Sequence, residues 1–136
     1  MLTVKTFLAA DAFGGIGVFA AEDIAAGTLI WKWHSACERV FSREEIDSFA
    51  EPFRSFVTKY GYGLADPPGC LVVCSDDGRF MNHSSTPNTV ESPPAIIRAA
   101  RDITAGEELT CDYHVFDHDL SGGGQFLKQR RDDSLL

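Results

Sequence analysis

Arg79-Phe80-Met81-Asn82-His83-Ser84-Ser85-Thr86-Pro87-Asn88 is the stretch on which the reading of this chain turns, with Gly106-Glu107-Glu108-Leu109-Thr110-Cys111-Asp112-Tyr113 about twenty positions further on. Asn82 offers a carbonyl and two N–H donors, enough to hold a ligand ammonium or carboxylate, and His83 adds a ring and a backbone able to meet an adenine edge. Pro87 and Asn88 shape a loop. Leu109 to Tyr113 reads as a short strand closed by a phenol that can orient groups or exchange protons. Taken singly, each piece is more often a satisfied turn or a half-buried structural tyrosine than a ligand site.

Outward from this stretch the chain reads mainly as β. Leu2, Val4 and Thr6 alternate with Thr3 and Lys5 in a strand pattern, and Asp11 to Gly17 forms a turn into Val18-Phe19-Ala20. Thr28 to Trp33 is rich in residues that suit a pleated surface, Leu71 to Cys74 reads as a short buried strand, and Ile96-Ile97 marks another. Asp76-Asp77-Gly78 is a turn.

A helical insert spans about 42–62. Ser42 caps it, Glu45 returns the bond as a capping box, and Phe41 and Ile46 are placed as a hydrophobic staple. Pro52 ends this helix or begins a second, with Phe53, Phe56, Val57 and Tyr60 on one face. The expected domain is 1–119, followed by a Gly-rich joint and polar tail over 120–136.

Ala21 to Gly27 and Ala100 to Gly106 share the form A-x-D-I-x-A-G. Two copies make no solenoid. Each is expected to bury one isoleucine ahead of a glycine turn that returns the chain as a strand, and shared turn chemistry is preferred to duplication as the cause.

Composition narrows the function classes. A chain of 136 residues with a formal charge of −8 is a poor coat for nucleic acid, because such binding needs Lys and Arg to neutralise phosphates. An acidic surface favours basic partners such as Lys/Arg-rich tails. No apolar run is long enough to span a membrane and no leader pattern opens the chain, so a cytoplasmic location and no membrane partner are expected. The four cysteines form no C-x-x-C pair, so no structural metal is expected. His114, Asp117, His118 and Asp119 would share a metal only if the segment were helical, which the adjoining Gly run disfavours. Cys111 has no histidine partner of a known cysteine-enzyme signature. Gly15-Ile16-Gly17 could let backbone approach a ligand but is too short for a dinucleotide fingerprint.

In combination these motifs resemble the SET domain, a family of S-adenosylmethionine-dependent protein lysine methyltransferases. Gly15-Ile16-Gly17-Val18-Phe19-Ala20 is similar to the family's G-x-G-V-[FY]-A start, 79–88 to its R-F-[IM]-N-H-S-x-x-P-N segment, and 106–113 to its G-E-E-L-T-[FY]-D-Y segment. The likeness covers roughly 3–116. It implies a β-clip-like fold of several small curved sheets with a helical insert and a C-terminal pseudoknot joining the Asn82 and Tyr113 segments.

It further implies S-adenosylmethionine as cofactor, released as S-adenosylhomocysteine. Gly15, Ile16 and Gly17 would cradle it through backbone, Asn82 would hold its amino-acid end and His83 its adenine. Tyr113 would be the active-site phenol, beside the cofactor. Tyr62, Cys74 and Cys111 would line the lysine channel. The implied partner is a basic Lys/Arg-rich protein; a histone would place the enzyme in a nucleus. A catalytically weak SET-like module that binds basic peptides is the alternative.

Some positions depart from the pattern. Cys111 stands where the family has Phe or Tyr, a position that helps set how many methyl groups are added, and Ser85 stands where Cys is common. No cysteine-rich flank is present, so Phe116 or Phe126 is expected to close the cofactor side. The chain resembles the minimal bacterial and viral members, some of which are homodimers.

Overall fold

The computed structural model describes residues 1–92 and 95–118. The expected tail over 120–136 and Phe126 lie outside the described residues, as does Asp119.

Four small sheets carry the fold. Strands β1 (Thr6–Ala10) and β2 (Ile16–Ala20) form an antiparallel hairpin. Strand β3 (Leu29–Lys32) pairs with β9 (Ile96–Ala99), which pairs with β8 (Thr89–Ser92). Strand β4 (Glu38–Phe41) lies beside β6 (Leu71–Cys74), which takes the two-residue β5 (Tyr62–Gly63) on its other edge. The fourth pair is parallel: β7 (Asn82–His83) runs beside β10 (Thr110–Cys111), with Thr110 opposite Asn82 and Cys111 opposite His83. A mainly β architecture of small sheets is thus what the sequence forms.

The central strand β6 is buried at all four positions, as expected of Leu-Val-Val-Cys flanked by strands on both edges. The N-terminal expectation needs correction. Regular pairing begins at Thr6, because the backbone before it is spent on β3: the Thr3 N–H donates to Ile30 O at 2.8 Å, and Leu2 bridges Trp31. Alternation read as one strand is a bridge followed by a hairpin.

The insert holds two helices, α1 (Arg43–Ser48) and α2 (Phe53–Tyr60). The capping box is formed, with the Glu45 N–H donating to Ser42 Oγ at 3.1 Å and the Ser42 N–H to Glu45 Oε2 at 2.8 Å. Phe41 and Ile46 share one buried cluster with Val57, Leu71 and Val73. The apolar face expected of α2 is only partly inward: Val57 is fully buried, whereas Phe53 and Phe56 remain 45% and 38% exposed. Those rings extend an aromatic row from Phe41 and Phe49 to Tyr60 and Phe80, each within 6.0 Å of the next.

The repeated A-x-D-I-x-A-G segments meet. Ile24 and Ile103 exchange both backbone hydrogen bonds at 2.8 Å, the Ala26 N–H donates to Asp102 Oδ1 at 2.8 Å, and the Ala105 N–H donates to Asp23 Oδ1 at 2.9 Å. Gly27 and Gly106 take positive φ, 81° and 90°, and turn the chain toward β3 and β10. Both isoleucines enter the main core with Val18, Ile30, Ile97 and Leu109. Ile103→Ala is expected to lower stability by about 2–5 kcal/mol, read as a shifted urea midpoint. Combined with Ile24→Ala it should be non-additive, because the pair is in contact.

Candidate active site

The parallel pair β7/β10 brings the two motif segments side by side and divides the region into two connected parts. On one side lies the β1–β2 hairpin; on the other lies a cleft.

On the hairpin side, Asn82 is 5% exposed and its amide nitrogen donates to Ile16 O at 3.0 Å, Asp11 Oδ2 at 3.0 Å and Glu108 Oε1 at 2.7 Å. Asp11 Oδ1 also accepts the Phe13 and Gly15 N–H groups, each at 2.8 Å, which closes the turn. The glycines admit these carboxylates: a Cβ on Gly17 would stand 2.5 Å from Glu108 Oε1, and one on Gly15 3.1 Å from Asp11 Oδ2. Asn82 is therefore tied to the Gly15–Gly17 turn, and two carboxylates converge on it. The sequence reading missed both, since Glu108 reads as a solvated turn and Asp11 as part of a loop. The available signal for Asp11 was an Asp two and four residues before backbone N–H groups in a glycine-rich turn.

His83 and Tyr113 lock the two parts together. The Tyr113 N–H donates to His83 Nδ1 at 3.1 Å, and the Tyr113 hydroxyl donates to Met81 O. Tyr113 does not close a strand. Pairing stops at Cys111, Asp112 accepts the His114 N–H at 3.0 Å, and this cap starts a single helical turn, α3 (Tyr113–Phe116).

The cleft, about 280 Å³, is lined by Tyr62, Cys74, Cys111, Tyr113 and Phe116, together with Glu91. It thus gathers all three residues assigned to the channel and the phenol. Phe116 packs edge-on against both Tyr62 and Tyr113, with ring centroids 5.4 and 5.7 Å apart. It therefore walls this cleft. The chain beyond α3 is clamped to β5, because the Gly63 N–H donates to Asp117 Oδ1 at 2.8 Å and the His118 N–H to Gly63 O at 3.1 Å.

Burial keeps three of the cleft's wall groups neutral, while Lys59, Arg79, Glu91 and Asp117 also line it. Burial pushes the Tyr62 hydroxyl and the Cys74 and Cys111 thiols far above their ordinary values, with Glu38 adding to the first two. Cys111 is therefore a neutral wall residue, not a nucleophile. Among the described residues, which exclude Asp119, His114, Asp117 and His118 do not gather as a metal cluster, and Asp117 Oδ1 accepts the Gly63 N–H. His83, Asp112 and His114 do place ligand atoms within 4.8 Å of one another, but His83 Nδ1 and Asp112 Oδ1 already accept backbone N–H groups.

This fold and site define a SET domain. The family model described as the SET domain matches residues 15–114, and the chain belongs to that family. Its sequence is 30% identical over 129 residues to the Caenorhabditis elegans protein named Probable histone-lysine N-methyltransferase set-23. That alignment covers 81% of this chain and 50% of the relative, so the chain spans about half the length of its curated relative. Chaetomium thermophilum Polycomb Repressive Complex 2 shares the fold with a TM-score of 0.64 and 22% identity, over 93% of this chain and 18% of that one. A structure of ctPRC2 bound to S-adenosylmethionine gives a TM-score of 0.61 at 23% identity, over 95% and 17% of the two chains.

Proposed function

We propose that the chain is a protein lysine methyltransferase that uses S-adenosylmethionine and acts on a basic, Lys/Arg-rich protein. The observation that carries this reading is the meeting of Tyr62, Cys111, Tyr113 and Phe116 in one cleft, with Cys111 paired beside His83. The parallel pair β7/β10 is then the crossing of the family's pseudoknot.

The donor set fits the cofactor. Asp11 and Glu108, convergent on Asn82, are the groups an amino-acid ammonium requires, and the Gly15–Gly17 backbone lies against them. His83, whose ring is held by the Tyr113 N–H, would offer its backbone to an adenine edge. When bound, S-adenosylmethionine supplies an electrophilic methyl on a sulfonium.

This chain's residues do the rest. A free lysine has a pKa of about 10.4, so holding it neutral at pH 7 costs on the order of 4–5 kcal/mol. The buried aromatic and thiol walls of the cleft disfavour the ammonium and lower that cost. The Tyr113 hydroxyl has its proton committed to Met81, which leaves the phenol offering lone pairs to a neighbouring group. An oxygen so fixed can orient the amine and favour a methyl that carries positive charge. Alignment of nitrogen, carbon and sulfur supplies much of the remaining acceleration.

Isotope-labelled cofactor incubated with the purified chain and a lysate should label lysines in basic proteins, located by mass spectrometry. Cofactor binding without any labelled protein would favour a binding module instead. Gly17→Ala should push the flexible end of Glu108 off Asn82 and weaken cofactor binding about tenfold, or 1.4 kcal/mol. Calorimetry would show this beside a melting temperature lowered by several degrees, since one charge-assisted hydrogen bond of about 1.5–3 kcal/mol is lost.

A further inference from the structure

Two carboxylates line the cleft, Glu91 and Asp117, and Asp117 is engaged by the Gly63 N–H at 2.8 Å. Glu91 sits on β8 opposite Ile97 of β9 and lines the cleft with Tyr62, Cys74, Cys111 and Tyr113. Its Oε2 is buried and has no hydrogen-bond partner among the described residues. Strand β8 also packs against β10, and Tyr62 of β5 lines the same cleft. A buried acceptor lacking a donor, in a cleft that the methyltransferase reading assigns to a lysine side chain, is complementary to an N–H-bearing ligand end.

We infer that Glu91 is the proton acceptor of the cleft, taking one proton from the ammonium of a substrate lysine before methyl transfer. The inference rests on the methyltransferase reading. In the step, one N–H bond of the ammonium breaks and an O–H bond forms on the Glu91 carboxylate. The N–H electron pair stays on nitrogen as the lone pair that attacks the methyl group. Glu91 then returns the proton to solvent.

The surroundings suit this role. Burial pushes the Glu91 carboxyl up from its ordinary value, the direction that makes a carboxylate a stronger general base. His118, beyond α3, faces it, and positive charge there acts in the opposite direction. Tyr62, Cys74 and Cys111 remain neutral because burial raises all three, and Lys59, Tyr60, Arg79, Tyr113 and Asp117 complete the ionisable groups that line the cleft with Glu91. Transfer should therefore rise with pH as Glu91 loses its proton. Without the carboxylate, the rise should move up toward the lysine's own pKa of about 10.4.

The test compares wild type, Glu91→Gln and His118→Gln as full chains, with labelled S-adenosylmethionine and core histones plus poly-L-lysine as acceptors, from pH 6 to 10. Glu91→Gln is expected to lower kcat/KM about 100-fold at pH 7, with the deficit closing toward pH 10 as lysine deprotonates unaided. A uniform loss across the range, no loss, or a limb that follows His118→Gln overturns the assignment. Equal cofactor affinity in calorimetry verifies that Glu91→Gln folds. Independently of turnover, the Glu91 carboxyl carbon-13 resonance, assigned by its loss in Glu91→Gln, should shift when n-butylamine is titrated into the cofactor-free protein. An unmoved resonance at saturating amine also overturns the assignment. A wild-type chain that labels neither acceptor counts against the methyltransferase reading, while the resonance still decides Glu91.

Discussion

Tyr113→Phe is expected to lower methyl transfer by about 100-fold or more while cofactor affinity stays nearly unchanged. The two readouts separate because Tyr113 has two different jobs. Its backbone N–H holds His83 Nδ1 at 3.1 Å, a contact that Phe preserves, so the cofactor side keeps its geometry. Its hydroxyl donates to Met81 O and lies in the cleft wall, and Phe deletes that oxygen alone. The ring stays, and with it the edge-on contact to Phe116. Removing the donor leaves the Met81 carbonyl short of a partner and should cost about 1 kcal/mol of stability. Folding therefore changes little, and single-turnover kinetics with pre-bound cofactor reads the chemical step directly. Near-full turnover in this variant would show that the phenol is part of the scaffold alone.

What the sequence disclosed, and what it withheld, follows from the range of the interactions involved. The Ser42–Glu45 capping box and the buried Leu71–Cys74 strand are local: three residues of spacing define the first, and four apolar residues the second. Asn82, His83 and Tyr113 were legible as a set through their motifs, and the parallel pair brings their segments together. Asp11 and Glu108 were not legible, because their partner is chosen by tertiary structure: Asp11 reaches Asn82 across 71 positions and Glu108 across 26. Glu91 carried no signal at all, since a lone Glu between Val90 and Ser92 reads as a solvated residue until β9 and β10 enclose it. The Tyr113 strand failed for a local reason that the sequence did contain, the capping preference of Asp112.

The pairing of the two A-x-D-I-x-A-G segments shows how distant turns position the site. One segment precedes β3 and the other precedes β10, so their mutual hydrogen bonds link the entry of the core strand to the entry of the strand that carries Cys111. Glu107, just after the second turn, is held below its ordinary range by Arg101 and the Thr104 N–H, which leaves Glu108 to point the other way, toward Asn82.

Asn82 is the position where substitution should do most damage to both stability and binding. Its amide nitrogen is shared by two carboxylates and the Ile16 carbonyl, and hydrogen bonds to charged groups are each worth about 1.5–3 kcal/mol. Asn82→Ala is therefore expected to cost roughly 3–5 kcal/mol and to abolish measurable cofactor binding, because Asp11 and Glu108 would repel each other across the gap. Asn82→Asp sharpens the test. It keeps the shape but sets a third carboxylate oxygen where the amide now meets Glu108 at 2.7 Å and Asp11 at 3.0 Å. Like charges at that range raise the folded-state pKa of the set above its unfolded value, so the penalty is full at high pH and is relieved as pH falls and the set takes up protons. The three groups titrate as a unit, and the relief belongs to all of them. The Asn82→Asp variant should thus be least stable at pH 7–8 and regain stability toward pH 5, measured as urea midpoints. Cofactor affinity should not recover in parallel, because a protonated set no longer attracts an ammonium. If Asn82→Asp instead loses stability on acidification, or binds cofactor as the wild type does, Asp11 and Glu108 do not converge on residue 82 in solution.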